Sequence, residues 1–348
     1  MTQEKQPPPL SPQEQIVGMG VLNALIARAI QVAALYGVAD HLQDGPKSAV
    51  ELAKLTQTHP DALYRLLRAL ATVGVFEESN TDAPKNGEHH FALTPLSQCL
   101  CQNVPGSMYA MVRQFGLNLE LKSWNELEYS VRTGKPAVDY VFKINCWEYL
   151  QGHPDEAAIF NQSMGALTQM TNPAILQAYD FSGMQSLMDI GGGNGMFIRA
   201  ILQEYPHMHG ILFDSAQAVE GVDTLNGRCE VLTGDLFKSL PKGQVDACVL
   251  KHVLHDWDDQ SCLTILLNTR RALIPGKKLL IVEQVLPESD PAPFEAFVDL
   301  EFLVTGIGRG RTTREYQALL EQIGFTLTRV VQTASSDSII EAVAVEIS

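Results

Sequence analysis

The second half of the chain alternates strand-like and helix-like segments, and this alternation restricts the possible folds more than any other feature. From about residue 185, short apolar segments predict strands at 187–190, 210–214, 229–233, 245–250 and 278–285. Amphipathic segments between them predict helices at about 195–204, 216–222 and 259–273. Such alternation is typical of an α/β fold with a parallel, doubly wound sheet. Two last strand patterns, 326–333 and 338–345, predict a terminal antiparallel hairpin, which is unusual among nucleotide-binding sheets.

A glycine-rich turn follows the first of these strands. Gly191, Gly193 and Gly195 can form a tight turn that lets the backbone approach a ligand closely. The dinucleotide fingerprint would need a glycine at position 196, which is methionine, and no Lys-Ser or Lys-Thr follows as in a P-loop. The turn therefore indicates a nucleotide-like ligand bound by neither of those motifs, although a glycine turn alone is a common feature.

Carboxylates stand at the ends of the first three strands, as Asp189, Asp214 and Asp235. The carboxyl ends of parallel strands meet at one edge of the sheet, so these groups should surround one ligand. An acid after the second strand can accept hydrogen bonds from ribose hydroxyls. Three acids favour a ligand with hydroxyl and cationic groups over one with phosphates. Each acid taken alone could instead be a helix cap.

A histidine-containing segment, Lys251 to Trp257, follows the fourth strand, where the strand order of such a sheet reverses. His255 is the candidate general base because imidazole titrates near neutral pH. His252 is its rival, expected to point to another face of the turn. Glu283 ends the fifth strand and could hold the imidazole in the required tautomer.

The N-terminal region contains a long apolar segment. Residues 13–41 are apolar around nearly the whole helical circumference, so this helix must be buried on every side. A second subunit would supply that burial most simply, and burial within its own domain is the alternative. We therefore predict a homodimer through residues 13–41 and the domain that follows them.

The segment after this helix has a winged-helix pattern. Ser48 to Glu51 is a capping box that opens one helix, and His59-Pro60 opens a second. Strand patterns at 75–77 and 91–93 predict a hairpin around a polar loop at 79–90. The second helix carries few basic residues, which favours a structural winged helix over a DNA-binding one. Residues 105–180 have a helical pattern throughout.

Composition excludes several classes of protein. The 348 residues carry a net charge of −15, which disfavours binding to nucleic acid or to an anionic membrane. No apolar run is expected to reach the ~18–20 residues of a membrane span, and the N-terminus lacks the features of a signal peptide. The six cysteines are scattered without a CxxC pair and are expected to be free thiols. We predict a cytoplasmic location.

Together these motifs resemble those of the S-adenosylmethionine-dependent O-methyltransferases of the plant caffeate and bacterial antibiotic type, and the resemblance covers essentially the whole chain. Asp189 to Gly195 is similar to the family's glycine motif, Phe213-Asp214 to its ribose acid, and Gly234 to Phe237 to its adenine-side motif. Lys251 to Trp257 is similar to its catalytic motif, and Glu283 to its supporting glutamate.

The resemblance implies S-adenosylmethionine as the cofactor, S-adenosylhomocysteine as its product and no metal. It implies a dimerisation and winged-helix domain at 1–104, a helical linker at 105–180 that lines the substrate cavity, and a cofactor-binding catalytic domain at 181–348. The implied catalytic residues are His255, Glu283 and Asp256. The implied cofactor-binding residues are Asp189, Gly191, Gly193, Asp214, Ser215, Asp235, Leu236, Lys251 and Trp257. The candidate cavity walls are Trp124, Trp147, Phe160, Met164 and Phe302.

Two positions depart from the family pattern. Ser215-Ala216 follows the ribose acid where relatives often have Leu-Pro, and Gly310 stands where many relatives have a glutamate before Arg-Thr. If that glutamate normally fixes the base, this chain must rely on Glu283 and Asp256 or on another group. The expected acceptor is a hydroxyl of a small aromatic or polyketide-like molecule. N- or C-methylation, or other chemistry that retains the cofactor, is the alternative, and a winged-helix regulator that senses a metabolite is a more distant one.

Overall fold

The computed structural model describes residues 10–79, 89–242 and 245–346. The chain divides into two compact units. The first comprises Met1–Asn118 and Asp155–Ala166, and the second comprises Leu119–Pro154 and Leu167–Ser348. Most of the polar loop predicted at 79–90 lies outside the described residues.

The first unit begins with a helical run whose apolar side chains are largely exposed. It consists of α1 (Pro12–Val17), a π-helical turn (Gly18–Leu22), α2 (Asn23–Leu35) and α3 (Val38–His41). The exposed apolar side chains, each more than half accessible, are Ile16, Val17, Met19, Val21, Leu22 and Leu25. Their exposure agrees with the predicted need for burial by something outside this unit.

One sequence-based expectation about this run was wrong. The helix Pro12–Leu35 is 24 residues long, and its most apolar 18-residue stretch has a mean hydropathy of 1.7, which by length and composition is enough to cross a membrane. Counting uninterrupted apolar residues missed it because a few polar side chains, such as Arg28, are scattered through the segment. A single such helix near an N-terminus is weak evidence for a membrane span, since a helix that packs against another subunit has the same composition.

The rest of the first unit has the predicted winged-helix architecture. Its elements are β1 (Lys47–Ser48), α4 (Ala49–Thr56), α5 (Pro60–Thr72), β2 (Phe76–Ser79), β3 (His90–Leu93), α6 (Pro95–Gln98) and α7 (Tyr109–Gln114). The three strands form an antiparallel sheet in the order β1-β3-β2. The capping box is confirmed: the Ser48 Oγ accepts from the Glu51 N–H, and the Glu51 carboxylate accepts from the Ser48 N–H at 2.7 Å.

Residues 105–180 are helical, as predicted. Helices α8 (Asn118–Asn125), α9 (Leu127–Thr133), α10 (Ala137–Phe142) and α11 (Cys146–Gly152) are short, and α12 (Pro154–Ala178) is long. Asn145 caps α11 with its side chain, which accepts from the Glu148 N–H at 2.9 Å. Residues 155–166 of α12 belong to the first unit and its later residues to the second.

The second unit is built on a seven-stranded sheet. Its strands are β4 (Ser186–Ile190), β5 (His209–Asp214), β6 (Cys229–Thr233), β7 (Ala247–Lys251), β8 (Lys278–Glu283), β11 (Phe325–Gln332) and β12 (Ser338–Ala344). The order is β11-β12-β8-β7-β4-β5-β6. Strands β4 to β8 are parallel, and β12 and β11 are antiparallel additions. The predicted doubly wound sheet with a terminal hairpin is therefore confirmed.

Helices and a short strand pair complete this unit. They are α13 (Met196–Glu204), α14 (Asp259–Ala272), β9 (Val285–Leu286), α15 (Pro293–Thr305), β10 (Arg311–Thr312) and α16 (Thr313–Gln322). The predicted helix at 216–222 is wrong, because the segment forms consecutive turns and Gly221 has φ +72°. Both faces of the parallel sheet are covered, so Leu187, Met188, Val249 and Leu250 are fully buried.

Candidate active site

One carboxylate fixes both the backbone and the ring of the predicted base. Glu283, fully buried at the end of β8, accepts through Oε1 from the N–H groups of Val253 at 3.0 Å, Leu254 at 2.9 Å and His255 at 3.4 Å. Its other oxygen, Oε2, lies 2.6 Å from Nδ1 of His255. The turn after β7 and the imidazole are therefore oriented by the same side chain.

The charges around His255 favour its protonated form. Burial acts to lower the pKa of His255, but the carboxylates of Glu283 and Asp256 outweigh it and raise the pKa to about 9. Burial also raises the pKa of Asp256, to about 6. Burial acts to raise the pKa of Glu283 as well, yet the adjacent imidazole lowers it below its usual value. Both shifts favour a protonated His255 paired with an ionised Glu283.

Asp256 stands on the other side of the imidazole from Glu283. Its Oδ1 is 3.5 Å from Nε2 of His255, and its side chain is partly exposed. Because Asp256 lies at Nε2, it cannot keep the proton of a neutral imidazole on Nδ1. The tautomer and the orientation of the ring therefore depend on Glu283. Asp256 instead stands beside the nitrogen that would face a substrate.

The rival histidine is engaged elsewhere. Nε2 of His252 lies 2.8 Å from Asp337 Oδ1, and its Nδ1 lies 3.3 Å from Lys251 Nζ. The rings of His252 and His255 stack at 5.3 Å between centroids, so the two histidines are neighbours rather than on separate faces. Nε2 of His252 thus faces the buried Asp337, whereas Nε2 of His255 faces the partly exposed Asp256.

The far end of the same turn is fastened by residues that the sequence analysis did not identify. Arg311, fully buried, donates to the carbonyl oxygens of Leu254 at 2.9 Å and Trp257 at 2.7 Å, and to Asp259 at 2.8 Å. A Cβ at Gly308 would collide with the carbonyl oxygen of His255. An arginine before a helix cap gives no sequence sign of burial, so only the tertiary structure reveals this clamp.

A side chain at Gly310 would displace its neighbours. A Cβ there would lie 2.7 Å from Cδ1 of Leu286, and the Gly310 N–H donates to Asp299 Oδ1 at 2.6 Å. Position 310 thus lacks the carboxylate that relatives often carry there, but the carboxylate of Asp299 in α15 lies next to the same backbone.

Aromatic side chains cluster near the turn. The ring of Phe302 lies 4.6 Å from that of His255, and the rings of Trp147 and Trp257 are stacked at 6.4 Å. Trp124 donates through its indole N–H to Glu301, one residue before Phe302. Phe160 and Met164 belong to the first unit, so their place in the cavity stays a prediction.

The glycine turn and the base-bearing turn fit closely together. Gly191 has φ +71°, and a Cβ there would lie 2.8 Å from Cγ2 of Val253. Gly193 donates its N–H to Asp214 Oδ2 at 2.8 Å, and Ser215 donates its N–H to Asp214 Oδ1 at 2.6 Å. Space is open beside Gly193, with nothing within 4 Å of a Cβ placed on it. The predicted ribose acid thus shapes the turn while each oxygen keeps a further lone pair.

Asp189 is the most unusual group at this edge. It is fully buried, and neither carboxylate oxygen makes a hydrogen bond of normal geometry within the described residues. Burial raises its pKa to about 7, although Lys251 opposes that shift and the Ile198 N–H opposes it weakly. Burial lowers the pKa of Lys251. A buried carboxylate without donors costs stability, so this edge suits a ligand that carries hydrogen-bond donors or positive charge.

The other predicted cofactor residues lie at the end of β6. Asp235 is exposed and accepts from the Phe237 N–H at 2.9 Å, which lowers its pKa. The Leu236 carbonyl accepts from Asn268 at 2.9 Å, and the Phe237 ring packs edge-on against Trp257. Their role in binding stays a prediction. Among the described residues, no group of three or more His, Cys, Asp and Glu side chains could hold a metal ion.

Comparison with known proteins gives matches over nearly the whole chain. The O-methyltransferase dimerisation domain matches residues 20–103, and the O-methyltransferase domain matches residues 124–326. The phenazine O-methyltransferase PhzM of Lysobacter antibioticus is 35% identical over 95% of this chain and 96% of that protein.

Solved structures agree with these matches. The LaPhzM structure has a TM-score of 0.88 and 35% identity, and the match covers 96% of this chain and 100% of that one. NcsB1, an O-methyltransferase from neocarzinostatin biosynthesis, was solved with S-adenosylmethionine and 2-hydroxy-5-methyl naphthoic acid; it has a TM-score of 0.78 and 30% identity, covering 92% of this chain and 96% of that one.

Proposed function

The chain belongs to the S-adenosylmethionine-dependent O-methyltransferases, and from that premise we propose that it methylates a hydroxyl of a small aromatic molecule with His255 as the general base. Membership confirms the predicted enzyme class, the cofactor and the fold. The single observation that carries the proposed role of His255 is its ring held by Glu283 at the edge of the sheet, beside the glycine turn.

The geometry suits proton removal at Nε2. If the Nδ1 proton of His255 is directed to Glu283, as in other carboxylate-oriented histidines, the lone pair lies on Nε2. The cofactor supplies an electrophilic methyl group when bound. The chain must then align the acceptor oxygen, a contribution of several kcal/mol, and take its proton, which adds roughly 10²–10⁴-fold. The protonated ring that results is stabilised by Glu283.

The cofactor edge fits the group that the family uses. We assign Asp189 and Lys251, with Gly191 and Gly193, to the amino-acid portion, because the buried oxygens of Asp189 make no hydrogen bond of normal geometry among the described residues. Asp214 and Ser215 would face the ribose. Asp235, Leu236 and Trp257 would flank the adenine. Asn or Ala in place of any of these acids should weaken cofactor binding more than folding.

We propose an aromatic acceptor held beside His255. Phe302 contacts the imidazole, and Trp147, which stacks on Trp257, provides a flat apolar surface in the same unit. The names of two relatives refer to a phenazine and to a naphthoic acid, both aromatic. Trp124, Phe160 and Met164 are further candidate walls. N- or C-methylation remains the alternative, and NMR of the product identifies the methylated atom.

The test uses His255→Ala with a panel of phenols and isotope-labelled cofactor. Turnover should fall at least a hundredfold, while calorimetry should show S-adenosylmethionine affinity within about threefold of the parent, since the ring is assigned to proton transfer and not to cofactor contacts. Near-normal turnover in this variant would contradict the assignment of the base. His207→Ala, a histidine bound to the Met184 carbonyl away from this edge, is the matched control.

The assembly and location are proposals as well. The dimerisation domain supports self-association, and we propose that the exposed apolar side chains of residues 13–41 form the interface, with Met19 near the partner's cavity. The division at 1–104, 105–180 and 181–348 and the cytoplasmic location are part of the same proposal. A fully active monomer at micromolar concentration would contradict the proposed dimer.

A further inference from the structure

A second histidine–carboxylate pair lies next to the first. Asp337 is 2% exposed, and its Oδ1 is 2.8 Å from Nε2 of His252. Lys251 Nζ lies 3.3 Å from Nδ1 of His252 and 3.9 Å from Asp337 Oδ2. Proton transfer by His255 does not use His252 or Asp337 directly, and burying charged groups costs free energy that only close pairing and hydrogen bonds offset.

The antiparallel end of the sheet delivers Asp337 to this edge. Strand β12 begins at Ser338, which is paired with Glu283, the last residue of β8. The start of an antiparallel strand therefore meets the ends of the parallel strands. The turn before it is itself ordered, because the Asp337 N–H donates to Ser335 Oγ at 3.2 Å and Thr333 Oγ1 donates to the Asp337 carbonyl at 2.5 Å.

His252 has a strained backbone that its partners hold in place. Its φ is +54°, in the left-handed region that non-glycine residues adopt at a cost of about 1–3 kcal/mol. Its N–H donates to the Val282 carbonyl at 3.0 Å, and its ring is fixed by Asp337. The next three residues, 253–255, are those whose N–H groups Glu283 accepts. The strain thus lies at the junction between β7 and the base-bearing turn.

The charges of the two pairs are also linked. Burial and the adjacent Lys251 lower the pKa of His252, which keeps this ring neutral where it stacks on His255. The charged groups that face His255 are Glu283, Asp256 and Asp337, and each raises its pKa. Because His252 is neutral, it does not repel a proton on His255, and the negative charge of Asp337 raises the pKa of His255.

We propose that Asp337 is a positioning residue of the methyl-transfer site, holding His252 and Lys251 so that the turn carrying His255 keeps its place at the edge of the sheet. This inference rests on the proposed role of His255. It assigns to the terminal hairpin a part in catalysis through the second histidine, without contact with the acceptor.

The test is ¹⁵N NMR of the histidine rings in the dimer saturated with S-adenosylhomocysteine, assigned with single His→Gln variants. In the parent protein, His252 should be neutral with its proton on Nε2. In Asp337→Asn, which keeps the shape and removes the charge, His252 should show mixed tautomers, and the pKa of His255 should fall by about half a unit or more. Glu341→Gln, a buried carboxylate four residues along the same hairpin, should match the parent.

An unchanged His252 tautomer together with an unchanged His255 titration in Asp337→Asn would overturn the inference. If that variant does not fold, His252→Asn replaces it, because asparagine tolerates a positive φ. The downfield Nδ1 proton of His255 should then broaden or disappear, and its persistence at the parental shift would also overturn the inference. Neither result depends on turnover, so loss or survival of the general-base proposal is decided separately by His255→Ala.

Discussion

Two buried carboxylates in the same sheet have opposite surroundings. Glu341, in the middle of β12, accepts hydrogen bonds from four side chains, those of Tyr179, Lys278, Thr328 and Arg329. Asp189, near the end of β4, has no partner of normal hydrogen-bond geometry for either oxygen within the part of the chain that the structure describes. One carboxylate is satisfied by the protein and the other is not, which supports the proposed assignment of Asp189 to ligand binding.

Their pKa values differ accordingly. Burial acts to raise the pKa of Glu341, but hydrogen bonds from Tyr179, Lys278 and Arg329 outweigh it and lower the pKa to about 2. Burial raises the pKa of Asp189 to about 7, since Lys251 compensates only partly. A carboxylate with hydrogen-bond donors stabilises the fold. One without them reduces stability, but its oxygens can still accept hydrogen bonds from a ligand.

Glu283 stands between these extremes, and changing it should have the largest effect. In Glu283→Gln the backbone N–H groups keep an acceptor, but the amide favours the wrong tautomer of His255 and no longer stabilises its protonated form. We expect kcat to fall by roughly 10²–10⁴-fold with little change in cofactor affinity. Steady-state kinetics with any phenol found in the screen measures this. If the variant keeps the parental kcat, Glu283 has only a structural role, like Glu341.

The wild-type pH profile is the next test. His255 must be neutral to accept a proton, and its pKa is raised above the usual value by Glu283 and Asp256. Turnover should therefore rise about tenfold per pH unit below that pKa. The rise should end between about 6.5, the ordinary pKa of histidine, and about 9. The positive charge of bound S-adenosylmethionine repels a proton on His255, which lowers its pKa toward the lower end of this window. A rate that falls with pH through this window would contradict a histidine base.

These expectations show what the sequence could predict. Glu283 is the last residue of one parallel strand and His255 follows the end of another, so strand assignment alone brings them to one edge. Asp337 reaches the same edge through the pairing register of an antiparallel strand, which no local pattern specifies. Arg311 is buried by tertiary contacts that its flanking residues do not indicate. The amphipathic pattern at 216–222 predicted a helix, but Ser215 and Gly221 stabilise turns instead.

A smaller effect should follow from Gly191→Ala. The added methyl group would lie 2.8 Å from Cγ2 of Val253, and the alanine would have to adopt a φ of +71°. The glycine turn should shift, weakening S-adenosylmethionine binding by about tenfold, with a loss of about 1–3 kcal/mol in stability. Calorimetry and urea unfolding measure the two effects. Gly276→Ala, also at positive φ but with open space around its Cβ, is the control for the backbone strain alone.

The smallest effect is expected from the pH dependence of Glu341. Its pKa is lowered in the folded state, so its stabilisation is complete above about 4.5 and is lost as pH falls toward 2. Glu341→Gln should lower the free energy of unfolding by about 1–2 kcal/mol at neutral pH, with allowance for screening of the exposed Lys278 and Arg329. Urea unfolding at pH 7 and at pH 3 measures this. An equal loss at both pH values would contradict the ionic origin of the stabilisation.

The most direct test of the central claim compares Asp189→Asn with Glu341→Gln by S-adenosylmethionine calorimetry and thermal unfolding. Because the pKa of Asp189 is raised on folding, its charge opposes folding at neutral pH. Asp189→Asn should therefore leave Tm unchanged or higher while cofactor affinity falls about 10- to 100-fold, a loss of about 1.4–2.7 kcal/mol. Glu341→Gln should lower Tm and leave that affinity unchanged. Parental cofactor affinity in Asp189→Asn, with a Tm lowered as in Glu341→Gln, would contradict the assignment of Asp189 to ligand binding.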